Sequence, residues 1–140
     1  MIKNRLILVL LSFFNINCNE DLLSDYKWKN RILIVIDADK IGFDKTFIDQ
    51  YKQDCLDRDL VLFIINDDKL YIDGEIASVK TFNYLNNRIK KISESSNLIL
   101  VGKDGGVKET YKFNNDIKQV FKDIDAMPMR IREMRKRKDV

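Results

Sequence analysis

A lysine set among glycines is the first feature of this sequence that could do chemistry. Residues 98–111 read LILVGKDGGVKETY, an apolar run followed by Gly102, Lys103 and two further glycines. A phosphate-cradling loop would continue with Ser or Thr after the lysine and then with a helix. Here the chain continues VKETYKF, which alternates as a strand does. The stretch therefore predicts a β-hairpin, with a tight turn at Asp104-Gly105 and a bulge at Gly106, and not an anion-binding loop.

The thiol of Cys55 is the second candidate. The chain has two cysteines and no histidine, which excludes Ser-His-Asp triads and zinc sites built on histidine. Phe43, Phe47, Tyr51 and Cys55 recur every fourth residue, so Cys55 should lie on the buried face of a helix. It falls at the C-terminal end of that helix, where the dipole disfavours a thiolate. We expect a buried side chain, and the alternative is the redox thiol of a one-cysteine peroxidase.

Aspartates follow each of the two longest internal apolar runs. Asp37, Asp39 and Asp44 come after the first run, and Asp67 and Asp68 come after the second. A calcium-binding loop starting at the first of them would have isoleucine at two of its ligand positions, the last of which needs glutamate. We therefore expect solvated acids with a helix cap at Asp39, and neither a metal nor another cofactor.

The N-terminal residues resemble an export signal. Two basic residues precede an apolar run at residues 6–14, which is too short to span a membrane as a helix. Cys18 stands at the distance of a lipoprotein cysteine, but the residues before it match that site poorly. Lipidation of Cys18 and ordinary cleavage after it both stay open. Residues 1–18 are predicted to be a signal segment of a protein in the periplasm or on the outer surface, soluble or lipid-anchored, and residues 19–140 a single domain.

The charge of the chain is uneven. Residues 18–129 carry 17 basic and 20 acidic side chains, whereas residues 130–140 carry six basic residues against two acidic ones. The acidic body argues against nucleic-acid binding. The basic tail could bind anionic lipid or an acidic partner, or could be a solvated terminus. The residues expected to form a partner surface, for an unknown protein or envelope component, are Lys103, Lys108, Arg130 and Arg132.

Periodicity orders the elements that position these residues. Residues 32–36 and 60–65 are continuous apolar runs, typical of strands buried on both faces. The helical pattern at residues 39–56 joins them into a βαβ unit, which should set the two strands parallel.

The second half of the chain predicts a short edge strand in KLYIDGE, a helix at Val79–Ile92 capped by Ser78, and then the hairpin. A last helix, capped by Asn114 or Asn115, should end at Pro128. The order β-α-β-α-β-β-α predicts an α/β, thioredoxin-like fold, with a four-stranded mixed sheet in the order 2-1-3-4 flanked by helices.

Three stretches together resemble a known family: RDLVLF at residues 58–63, LVGKDGGVK at 100–108 and IDAMPMRIREMR at 124–135. The chain resembles, over residues 28–135, the thioredoxin- or peroxiredoxin-like domain of unknown function found in small exported bacterial proteins. The same domain occurs in vertebrate extracellular sushi-repeat and coiled-coil-domain proteins. The resemblance implies a thioredoxin-like fold outside the cytosol and supplies no reaction.

The reactive positions of a thioredoxin-like redox enzyme are not filled here. Such enzymes carry a cysteine where the first strand meets the first helix, because the helix N-terminus stabilises a thiolate there. That junction reads IDADKIGFD at residues 36–44, and residues 94–97 (ESSN) stand where a proline would precede the third strand. We therefore expect an exported, non-catalytic binding or structural module, and the alternative is a thiol peroxidase or oxidoreductase that uses Cys55.

Overall fold

A computed structural model describes residues 22–92, 95–114 and 116–140. Within these ranges, six strands form one mixed sheet in the order β4-β3-β2-β1-β5-β6. The strands are β1 (Arg31–Ile36), β2 (Leu60–Asn66), β3 (Lys69–Ile72), β4 (Glu75–Ile76), β5 (Leu98–Val101) and β6 (Val107–Tyr111). The α-helices of the same part of the chain are α1 (Lys45–Asp57), α2 (Val79–Ile92), α3 (Lys118–Asp125) and α4 (Pro128–Lys138), and a short 3₁₀ helix (Leu22–Asp25) precedes β1.

Strand β1 lies at the centre of the sheet because both of its faces are apolar. It pairs parallel with β2, with Ile34 opposite Phe63, and antiparallel with β5, with Ile34 opposite Ile99. Successive side chains of a strand point to opposite faces. Leu33 and Val35 therefore enter one core with residues of α1 and α3, while Ile32 and Ile34 enter a second core with Phe82, Leu85 and Ile89 of α2.

The mixed α/β sheet flanked by helices confirms the predicted class, but the prediction of four strands is wrong. The predicted order 2-1-3-4 matches four adjacent strands of the six, β2-β1-β5-β6. The difference is the β3–β4 hairpin, which extends the sheet beyond β2. Its first strand lies in KLYIDGE, where a short edge strand was predicted, but that strand was not counted among the four. Asp67 and Asp68, predicted to be solvated acids, have φ of +46° and +57° and form a two-residue turn between β2 and β3. This is the geometry that hairpins with two-residue loops require.

The glycine-lysine stretch is a hairpin loop between β5 and β6, as predicted. The amide of Gly102 donates to the carbonyl of Gly106 at 2.9 Å, and the ladder is irregular at Leu100 and Val101. The predicted details are wrong in two respects. Gly105 alone of residues 102–106 has a positive φ, +81°, so the loop is longer than a two-residue primed turn and Gly106 is not the residue in the left-handed region.

The helix caps agree with the sequence in part. The hydroxyl of Ser78 accepts from the amide of Thr81 at 3.1 Å, as predicted for α2. Helix α1 begins later than predicted, because Asp44, and not Asp39, accepts from an amide of the first turn, that of Phe47, at 2.9 Å. Helix α3 has Ile117 at its N-cap position and no side-chain cap, so Asn114 does not cap it, and Asn115 lies outside the described residues.

Residues 1–21 are not among the described residues, so the predicted signal segment and Cys18 lie outside this description. Among the helices that are described, none is both long and apolar enough to cross a bilayer.

The cap of α1 gives a direct test of these assignments. Asp44→Ala should lower the free energy of unfolding by about 1 kcal/mol, because it leaves an amide of the first turn without an acceptor. Asp39→Ala removes an exposed carboxylate that was the predicted cap, and should change the free energy of unfolding by less than about 0.5 kcal/mol. Urea denaturation of both variants measures this, and equal losses would contradict the assignment.

Candidate functional site

Charged side chains from distant parts of the chain meet at the end of the sheet where β1 and β2 begin. Within the described residues, the buried charged side chains are Arg31, Lys103 and Arg130, and all three lie here. Together with their partners they form what we call the charge network: Arg31, Asp57, Arg58, Asp59, Lys103, Asp125, Arg130, Glu133 and Arg137.

Glu133 of α4 holds one half of the network. Arg31, the first residue of β1, is 1% exposed and donates to both carboxylate oxygens of Glu133 at 3.2 Å. Lys103, from the β5–β6 loop, is 9% exposed and donates to Glu133 Oε1 at 2.7 Å and to Asp59 Oδ2 at 2.9 Å. One carboxylate of α4 is therefore shared by two buried cations from the sheet and its loop.

The pKa of Glu133 reflects this pairing. Burial by itself raises the pKa of a carboxyl group, because it disfavours the charged form. The hydrogen bonds from Lys103 and Arg31 outweigh burial, so the pKa of Glu133 lies below its ordinary value. The folded protein thus holds Glu133 as a carboxylate.

Asp125, the last residue of α3, holds the other half. Arg58 binds it with two hydrogen bonds, at 3.1 and 2.8 Å, which is the bidentate geometry that arginine favours. Arg130 is 2% exposed and donates to Asp125 at 3.1 Å and to the Asp57 carboxylate at 2.8 Å. Burial raises the pKa of Asp125, but the bonds from Arg58 and Arg130 dominate and its pKa is lowered.

Arg137, near the end of α4, also pairs with Asp57. Helix α4 is therefore held by charged residues at positions i, i+3 and i+7. Arg130 and Arg137 bind Asp57 at the C-terminus of α1, and Glu133 binds the start of β1 and the β5–β6 loop. This spacing keeps Arg130, Glu133 and Arg137 on the inner face of the helix.

The network is suited to fastening elements and not to catalysis. Its buried cations already donate to carboxylates, and the carboxylates accept from those cations, so none of these groups is poised to move a proton. Among the described residues, the buried side-chain nitrogen or oxygen without a hydrogen-bond partner is Arg31 Nε.

The structure separates the four residues predicted to form a partner surface. Lys103 and Arg130 are buried and paired inside the charge network, because each reaches inward to a carboxylate, so they are not surface residues. Lys108 pairs with Asp104 at 2.7 Å on the β5–β6 hairpin. Arg132 is exposed on the outer face of α4. That a partner contacts these residues stays a prediction.

Cys55 lies in the last turn of α1, as predicted, and is 6% exposed. It packs in the core that α1 and α3 share. Burial, together with the charge of Asp54, raises the pKa of the Cys55 thiol to about 11. Both the burial and the raised pKa disfavour a thiolate, which is the reactive form.

The junction between β1 and α1, residues 37–44, contains three aspartates. Asp37 has a φ of +53° and pairs with Lys40 at 3.5 Å. Asp39 is exposed, and its amide donates to the side chain of Asn66 at 2.9 Å. In the described part of the chain, no group of three acidic or thiol side chains is arranged to hold a metal ion.

A groove runs beside β6, where the hairpin meets α3 and α4. It has a volume of about 350 Å³ and is lined by residues that include Lys108, Asp123 and Met127. The Tyr111 hydroxyl donates to Asp123 at 2.6 Å and joins β6 to α3. Burial raises the pKa of Tyr111, and the bond to Asp123 raises it further, so this tyrosine is a structural donor.

Sequence reasoning missed most of the charge network. Arg31, just before the apolar run at residues 32–36, was not singled out, and neither were Asp57, Asp125 and Glu133. A signal was present in the tail: Glu133 is the acid within an otherwise basic helix, three residues after Arg130. An acid in such a place indicates a partner elsewhere in the fold.

Comparison with family models identifies a domain of unknown function, DUF4174, at residues 22–133. The match contains every member of the charge network except Arg137. Comparisons with curated proteins and with solved structures gave no match.

Acid should weaken the network in a way that one variant can isolate. Because the pKa of Glu133 is lower in the folded protein than its ordinary value of 4.5, its contribution is complete above that pH and is lost as the pH falls through the folded value. Glu133→Gln should therefore cost about 3 kcal/mol of unfolding free energy at pH 7, since it leaves two buried cations short of an acid. The difference in unfolding free energy between Glu133→Gln and the wild type should shrink below pH 4.5.

Asp139→Asn is the matched control, because it removes one exposed acid just after the same helix. It should change the free energy of unfolding by less than about 0.5 kcal/mol at either pH. Urea denaturation at neutral and acid pH measures both. A gap for Glu133→Gln that stays constant as the pH falls would contradict the assignment.

Proposed function

We propose that this chain, which belongs to the DUF4174 family of domains of unknown function, is an exported, non-catalytic, thioredoxin-like module. It acts by binding a component of the cell envelope. The observation that carries the proposal is the state of its one described thiol: Cys55 is buried, at the C-terminal end of a helix, with its pKa raised to about 11.

The strand order supports the thioredoxin-like part. Four adjacent strands run β2-β1-β5-β6, with β1 and β2 parallel and joined through α1. Strands β5 and β6 form an antiparallel hairpin followed by α3. The β3–β4 hairpin is an addition at one edge. In this arrangement a redox enzyme would place its cysteine at the start of α1, where Asp44 stands.

Two further features favour binding over catalysis. The single proline of the chain is Pro128, which begins α4, and is not at the start of β5. The basic residues that could have held an anionic substrate, Lys103 and Arg130, are used within the charge network. What remains available is the outer surface of elements that the network holds in place.

Export is supported by sequence alone. Two basic residues followed by the apolar run at residues 6–14 form the pattern that export machinery recognises. Lipidation of Cys18 would hold the module at a membrane, and ordinary cleavage would release it. Both fit a binding module, and neither requires a reaction.

Thiol chemistry tests the proposal. In Cys18→Ser protein, Cys55 is the one thiol that can react. With a pKa of about 11, it should be only about 0.1% ionised at pH 8. Labelling by a disulfide reagent should therefore be at least about 100-fold slower in the native protein than in urea. Insulin reduction and peroxide consumption should both be absent.

The contrasting variant is Cys55→Ser in the same background. Rapid native labelling, together with peroxide consumption that disappears in Cys55→Ser, would contradict the proposal. It would instead assign the protein to the one-cysteine peroxidases.

A further inference from the structure

We propose that the end of the molecule that carries the charge network binds the surface of an anionic lipid bilayer. This rests on the proposed function as an envelope-binding module and names what it binds. The surface consists of two segments, which we call the lipid patch: Lys27, Trp28, Lys29, Arg132, Arg135 and Lys136.

The outer face of α4 supplies the first segment. Residues three and four apart lie close together on a helix, so Arg132 is next to both Arg135 and Lys136. Arg132 and Arg135 point away from the face of Arg130, and Lys136 lies at the edge of this exposed strip. All three are exposed. None of the carboxylates in the described residues pairs with them, whereas the inner-face cations are neutralised. The helix thus presents a charged face that the fold does not use.

Trp28 and its neighbours supply the second segment. The Trp28 side chain is 63% exposed, and Lys27 and Lys29 on either side are exposed as well. Trp28 has a φ of +66°, a conformation that is uncommon for a bulky residue. Its amide donates to the carbonyl of Lys103 at 2.6 Å. The fold therefore fixes the backbone here and leaves the indole in solvent.

The two segments lie at the same end of the molecule. Lys103 connects them, because its carbonyl accepts from Trp28 and its Nζ donates to Glu133 on the inner face of α4, at 2.7 Å. Trp28 is also only three residues before Arg31, and Arg31 binds the same Glu133. Lys103 therefore contacts the backbone of one segment and the helix that carries the other.

The chemistry of the lipid patch favours a bilayer over a soluble polyanion. Tryptophan is enriched where apolar and aqueous phases meet, because its ring is apolar and its N–H is polar. Lysine and arginine around such a ring add attraction to anionic headgroups. A soluble polyanion without apolar groups, such as poly-glutamate, would use the cations but would leave the indole in water.

The chain before the described residues points the same way. It enters the fold at Leu22, six residues before Trp28, and the apolar run at residues 6–14 precedes it. The intervening residues 15–21 can span at most about 25 Å when extended. An acyl group on Cys18 would therefore hold this end of the fold close to a bilayer.

Vesicle binding of the full chain tests the proposal. The probes are vesicles of phosphatidylglycerol and phosphatidylcholine in equimolar mixture, and vesicles of phosphatidylcholine alone. All variants keep residues 1–21, so any binding by the apolar run is common to them. The triple variant R132E/R135E/K136E should reduce the partition coefficient onto the anionic vesicles on the order of 100-fold. Added salt should weaken binding of the wild type.

The matched control is K80E/K90E/K91E, which makes the same change in net charge on α2. That helix packs against the other core of the sheet, and these lysines are exposed. The K80E/K90E/K91E variant should reduce the partition coefficient onto anionic vesicles by less than about threefold. Circular dichroism of both triple variants should match the wild type, because neither changes a buried residue.

Fluorescence gives a second readout, because Trp28 is the one tryptophan of the chain. Its emission should shift to shorter wavelength on anionic vesicles, and the shift should be lost in R132E/R135E/K136E. Equal losses of binding in the two triple variants would overturn the proposal. So would equal binding to the two kinds of vesicle, or binding to poly-glutamate without binding to vesicles. Those results leave the redox assays on Cys55 unaffected, so the two proposals fail separately.

Discussion

The pairing of Glu133 with Arg31 and Lys103 is the interaction on which the arrangement of this protein depends. Two buried cations at the end of the sheet need a shared acid, and α4 supplies it. An unpaired charge at such a site would be far more costly than a lost surface ion pair. Helix α4 is mostly basic and has little apolar surface to bury, so its position rests on this pairing and on those of Arg130 and Arg137.

The cost of the arrangement is also visible. A buried ion pair is weak evidence for net stability, because desolvation opposes the attraction. An apolar contact of similar volume could hold α4 with no charge at all. What charges add is direction: the two carboxylate oxygens of Glu133 fix the rotation of α4 about its axis. We infer that this fixed rotation determines which of its cations face solvent and hence makes the lipid patch a defined surface.

The sequence predicted the elements whose signals are local. The apolar runs of β1 and β2, the cap at Ser78 and the hairpin after β5 follow from neighbouring residues, and these agree with the structure. Asp67-Asp68 was missed because aspartates occupy the left-handed region less readily than the Asn-Gly and Asp-Gly pairs that mark such turns. Asp39 and Asp44 both precede helical residues, and only the geometry of the preceding turn decides between them.

The charge network could not be predicted in this way, because its members are far apart in sequence. Arg31 and Glu133 are 102 residues apart, and Arg130 and Asp57 are 73 apart. A basic tail with one acid also looks like a solvated terminus until its partners are known. In the structure Lys103 and Arg130 are buried and Arg132 is exposed.

A double-mutant cycle between Arg31 and Glu133 tests the central claim most directly. The variants are Arg31→Met, Glu133→Gln and their combination, and Lys103 keeps Asp59 as a partner in all of them. If the pair holds α4 in place, the sum of the losses of unfolding free energy in the two single variants should exceed the loss in the double variant by about 2 kcal/mol. Losses that add to within about 0.3 kcal/mol would contradict the account.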